Sequence, residues 1–156
     1  MKNTKLLGTI LPAIVIMAGG FILFNVAFIV FALIVNLSIS LLGADMQSAP
    51  PVLSRALGFL ALILITWLGF KINFKSETVK HTLRSTLITM PLMAVLVALG
   101  VMLYQQPQWM ILLAGALVVA PALYYVWRLK LPWMYHFAIL YVTILALYIM
   151  FSGMDI

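Results

Sequence analysis

Leu6 to Leu42, LLGTILPAIVIMAGGFILFNVAFIVFALIVNLSISLL, is a run of 37 residues without a charged side chain, bounded by Lys5 before it and Asp45 after it. In water such a run has nowhere to bury itself, whereas in a bilayer it is a spanning segment, and a long one. As a single helix it measures about 55 Å at 1.5 Å per residue, against a hydrocarbon core of roughly 30 Å. Two crossings joined by a turn need about 40 residues plus the turn, which is slightly more than the run provides. Its only breaker pair, Gly19-Gly20, would leave a first arm of 13 residues with no charge to anchor a hairpin tip. The expectation is therefore one crossing, bent near Pro12 or Gly19-Gly20. The alternative for 6–42 is a short re-entrant arm followed by a helix.

The rest of the chain extends the pattern. Of 156 residues, 66% are hydrophobic and 8% charged, against about 25% charged in a soluble domain. Four further apolar segments follow, near 52–70, 85–104, 109–127 and 133–151. The expected fold is an all-α integral membrane protein, a single domain over 1–156 built as a bundle of five transmembrane helices. Pro50-Pro51 suits the start of the second. Gln105-Gln106-Pro107-Gln108 makes an uncharged turn, and Arg128 to Pro132 separates the last two segments.

Charge placement orients this arrangement. With the N-terminus in the cytoplasm, the inner segments hold Lys2, Lys5, Lys71, Lys75, Lys80, Arg84, Arg128 and Lys130, and the outer ones Arg55 alone. That eight-to-one bias follows the positive-inside rule, and splitting the first run into a hairpin would weaken it to six to three. The C-terminus is then external. Trp109, Trp127, Trp133, Tyr104 and Tyr135 fall at the expected span ends, where amphipathic rings settle. Lys2 and Lys5 before the apolar run resemble a secretory signal, but no small-residue cleavage region follows, so a retained anchor is expected. The compact form and brief termini suggest a prokaryotic plasma membrane. The net charge of +6 is explained by insertion topology, so a nucleic-acid partner is not expected.

Few residues are candidates for chemistry. There is no Cys, and the three acids are Asp45, Glu77 and Asp155. No phosphate loop, nucleophile elbow or His-Glu-x-x-His is present. The expectation is a protein that is not an enzyme and takes no cofactor or metal. Asn25 and Asn36, eleven residues apart, share a helical face with Ala32 between them, a pattern suited to helix association in lipid. With Tyr124, Tyr125, His136 and Thr143 they are the candidate interface or pathway groups. Arg55 is a candidate for an external ion pair with Asp45 or Asp155, or for snorkelling to lipid phosphate. Lys71, Lys75, Lys80 and Arg84 are candidates to meet inner-leaflet headgroups or an acidic partner, and His81 reads as a solvated histidine in that basic loop. Ser54/Gly58, Ala94/Ala98 and Ala116/Ala120 are small-residue pairs that permit close helix packing.

The functional expectations follow in order. The first is a non-catalytic accessory or oligomeric membrane component, partnered by the bilayer, a second copy or another membrane protein. The second is a small-solute or ion transporter or channel lined by the few intramembrane polar groups. An intramembrane enzyme is remote.

Overall fold

The computed structural model describes residues 2–42, 51–103 and 105–151, and these form five helices. They are α1 (Lys2–Leu42), α2 (Pro51–Lys71), α3 (Glu77–Met102), α4 (Gln108–Arg128) and α5 (Trp133–Phe151). A helix satisfies its backbone polar groups within its own segment, which makes it the natural form for so apolar a chain. Three stretches are long and apolar enough to cross a membrane, Gly8–Ile34, Glu77–Gly100 and Gln108–Arg128. Two shorter apolar helical stretches, Gly58–Lys71 and Trp133–Ile149, accompany them. The chain is thus a membrane protein with several candidate spans.

α1 is continuous over 41 residues, with Pro12 inside it. The chain stays helical through Gly19 and Gly20, so neither a hairpin nor a re-entrant arm interrupts the opening run. α2 begins on Pro51, where a missing N–H loses no helical bond.

α3 begins at Glu77, eight residues before the expected start at 85. The expectation placed the boundary where the charges end, but charge limits insertion into lipid and does not stop a helix. Glu77 occupies the first turn, where a carboxylate complements the helix dipole. It reaches Lys80 at 3.2 Å and His81 at 3.5 Å, one turn on. The basic segment 71–84 is therefore the last residue of α2, a five-residue connector and two turns of α3.

α4 closes on a Schellman arrangement. Lys130 N–H donates to Trp127 O at 3.0 Å and Leu131 N–H to Val126 O at 3.1 Å. Lys130 takes the left-handed conformation, φ 51°, that glycine usually supplies there. Leu131 then folds back onto the core cluster containing Val126, and Pro132 prevents the helix from resuming.

α3 is the hub, packed against each of the other four helices, while α4 touches only α3 and α5 among the described residues. One core cluster joins α3, α4 and α5 through Leu92, Met93, Val119, Val126, Tyr135 and Ile139. A second sets Ile16 of α1 against Met134 and Ala138 of α5. A third joins α1, α2 and α3 at Ala27, Leu62 and Met90.

Candidate functional site

The most polar interior surface belongs to α3. Thr82, Ser85, Thr86 and Thr89 are all buried, and offsets of three, four and seven residues put them on one face. Each hydroxyl bonds back into its own helix, and that of Thr82 also lies 3.4 Å from Met134 Sδ on α5. Thr82 donates to Thr78 O, and Ser85 and Thr86 both donate to Thr82 O, at 2.8 Å each. Thr89 donates to Thr86 O at 2.6 Å. With their hydroxyls so engaged, the side chains present a smooth surface to the neighbouring helices.

That surface receives the glycine pair of α1. A β-carbon added at Gly19 would stand 2.8 Å from Thr86 Cγ2, and one at Gly20 would stand 2.9 Å from Thr89 Oγ1. Gly19-Gly20 is thus a point of close approach between α1 and α3, which gives the pair a packing role. The same reasoning applies at Gly69 of α2, where an added β-carbon would collide with Leu87. Where hydrophobic burial drives no association, helices gain by approaching closely enough for van der Waals contact, and glycine permits it. Beside Thr89, between Gly20, Phe24, Met93 and Tyr141, the remaining void is about 10 Å³, the room of a single water.

At the start of α3 the polar groups turn toward α2 and α5. Arg84 donates from Nη2 to Phe70 O at 2.6 Å and lies 5.6 Å from the Phe70 ring. It thereby satisfies a carbonyl in the last turn of α2 that has no partner within its own helix. Arg84 Nε is buried without a hydrogen-bond partner among the described residues. His81 is half-buried, with Nδ1 3.3 Å from the Tyr135 hydroxyl and its ring packed edge-on against that phenol. It is no solvated loop histidine, because the early start of α3 carries it onto the bundle. Tyr135 is 3% exposed, and its buried hydroxyl has His81 as a partner.

The remaining candidates lie apart. Asn25 and Asn36 both occupy exposed positions on α1, and Asn25 Nδ2 donates to Phe21 O at 2.8 Å. Tyr124 and Tyr125 are exposed on α4, which does not touch α1 among the described residues. His136 and Thr143 are half-buried on α5, and Thr143 donates to Ile139 O at 2.8 Å. The six candidate groups are therefore not gathered around one space. Of the four cations, Lys71 and Lys75 are exposed, Lys71 sitting 3.7 Å above the Trp67 ring. Lys80 pairs with Glu77, and Arg84 turns inward. Arg55 lies in the first turns of α2, while Asp45 and Asp155 lie outside the described residues, as does Tyr104. No group of three or more His, Cys, Asp or Glu that could hold a metal occurs among the described residues.

The hydroxyl stripe was absent from the sequence candidates, although its signal was there to read. T-x-x-S-T-x-x-T from Thr82 to Thr89 has helical spacing, a signal that the neighbouring charges overshadow. Ala116 and Ala120, the small pair of α4, line a shallow apolar groove on the outer surface with Leu113, Leu117 and Tyr124. Gly58 is buried on α2, and Ala94 packs against the cluster that joins α1, α2 and α3.

Comparison of the chain with protein-family models, with curated proteins and with solved structures finds no match.

Proposed function

We propose that the protein is a non-catalytic component of a prokaryotic plasma membrane, spanning it five times with the N-terminus inside and the C-terminus outside, and acting through helix–helix contacts. The observation that carries this reading is the contrast between a closed interior and a featured exterior. Inside, the hydroxyls of Thr86 and Thr89 are spent on their own backbone and the void beside them is about 10 Å³. Outside, α1 exposes two asparagines and α4 exposes a small-residue groove. A lipid-facing amide is left without a good partner, whereas an amide at a helix interface finds one. The test is purification from native membranes in mild detergent, followed by reconstitution. The expected result is stable association with a second copy or another membrane protein, and no solute or ion flux from the purified chain in liposomes. Flux that vanishes on Asn25→Leu or Asn36→Leu would overturn the reading.

A second reading, a small transporter, draws on the same buried stripe. If α1 slides away from α3, Thr86 and Thr89 would line the opening. This reading expects flux that Thr86→Val and Thr89→Val abolish without loss of folded protein.

A further inference from the structure

α1 carries two stripes with the same alternating spacing. On the packed side, Ile16, Gly20, Leu23 and Ala27 step by four, three and four residues into the bundle. Steps of four and three also run from Ala18 through Ile22, Asn25, Ile29 and Ala32 to Asn36, and every one of these six positions is exposed. At 100° per residue the second stripe lies on roughly the opposite side of the helix. A repeat averaging 3.5 residues is the seam along which two helices wind in a left-handed supercoil. This seam covers about 27 Å, close to the thickness of the hydrocarbon core.

The two asparagines identify what covers it. Asn25 lies near the middle of the Gly8–Ile34 span, and its short side chain cannot reach an interface. Its bond to Phe21 O engages one of its two N–H groups, leaving the other N–H and the amide oxygen on an exposed face. An amide is both donor and acceptor, so the group best matched to it is another amide. Copies of one chain insert with the same orientation, so their first helices are parallel, and a two-fold axis along the membrane normal sets each residue of the seam opposite itself. Under that symmetry Asn25 meets Asn25 and Asn36 meets Asn36. The small Ala18 and Ala32 allow close approach between them, and Ile22 and Ile29 interdigitate. A polar residue at a seam position also fixes register, since a slip of one heptad would set Asn25, within the apolar span, against an alanine.

We infer that the exposed seam of α1 binds α1 of a second copy of this chain, as a parallel two-fold dimer locked by Asn25 and Asn36. The inference rests on the reading of the protein as a helix-contact component and names its partner.

Because the chain has no Cys, single-cysteine crosslinking of the full chain in native membranes tests it. Ile22→Cys and Ile29→Cys are expected to give disulfide-linked dimers on mild oxidation. Val26→Cys and Phe28→Cys, exposed on the two flanks of the seam, are expected to give far less. Asn25→Leu in the Ile29→Cys background lowers the dimer yield about threefold, the effect of one average interhelical hydrogen bond in a membrane, and Asn25→Gln restores part of it. Equal yields at all four cysteines indicate random collision and overturn the inference, as does the absence of dimer at every position with the protein present at its normal level. A photocrosslinker at Ile29 separates the two levels of the account. Capture of a different membrane protein ends the second-copy assignment and leaves the proposed function standing. Capture of no protein, together with solute flux from the purified chain, ends both.

Discussion

α3 and α4 occupy opposite situations in the same bundle. α3 carries Glu77, Lys80, His81, Arg84 and four buried hydroxyls, and it touches every other helix. α4 has no charge before Arg128, and it exposes Leu113, Leu117, Tyr124, Tyr125 and Trp127. In a water-soluble protein this distribution would be inverted. In lipid the acyl chains accept leucine as readily as a neighbouring helix does, so apolarity alone gives no reason to be central. Polar groups do give a reason, because each must find a partner inside the protein. The helix that buries polar side chains becomes the hub, whereas α4, which buries none among its described residues, stays at the edge.

Substitutions in the two helices distinguish the hub from the edge. Gly20→Leu forces a side chain into the space held by Thr89 and is expected to lower stability by about 3 kcal/mol, read as loss of resistance to denaturing detergent. Leu117→Ala, on the outer face of α4, should change the same measurement by no more than about 0.5 kcal/mol. Equal effects at the two positions would contradict the hub-and-edge arrangement. Arg84→Met removes the donor to Phe70 O and is expected to cost about 2 kcal/mol, the range for hydrogen bonds with a charged partner. Its effect should be seen first as proteolytic cleavage within the 72–76 connector, because Arg84 ties α2 to α3 there. Lys130→Gly relieves the left-handed backbone at the end of α4 and should stabilise the protein by about 1 kcal/mol. The smallest interior effect is expected at Thr86→Val, about 0.5 kcal/mol, the low end for a hydrogen bond, since its hydroxyl serves only its own helix.

Much of this architecture was legible in the residues. The apolar run 6–42, the proline at 51, the Gln-rich turn and the Arg128–Pro132 break marked five helices, because helix ends leave polar or proline signals close at hand. The start of α3 was hidden by its charges: Glu77, Lys80 and His81 look like a loop until they are placed one turn apart, where they pair. Gly19-Gly20 carried an ambiguity that one chain cannot resolve alone. Glycine marks either a break or a contact, and only the presence of Thr86 and Thr89 on the facing helix selects contact. Tyr135 and His81 were separated by 54 residues, and no local pattern predicts a pairing at that distance. The candidate polar groups were legible one by one, but not their dispersal, since which helices become neighbours is a property of packing.

The central claim is that α1 crosses the membrane once, so that its two ends face opposite compartments and the 72–76 connector shares the side of the N-terminus. It is tested most directly by labelling single-cysteine variants in sealed cells with a membrane-impermeant thiol reagent. The account predicts that Gln106→Cys reacts at once, whereas Asn3→Cys and Ser76→Cys react only after the membrane is opened. Reaction of Asn3→Cys from outside in intact cells, alongside Gln106→Cys, would contradict it.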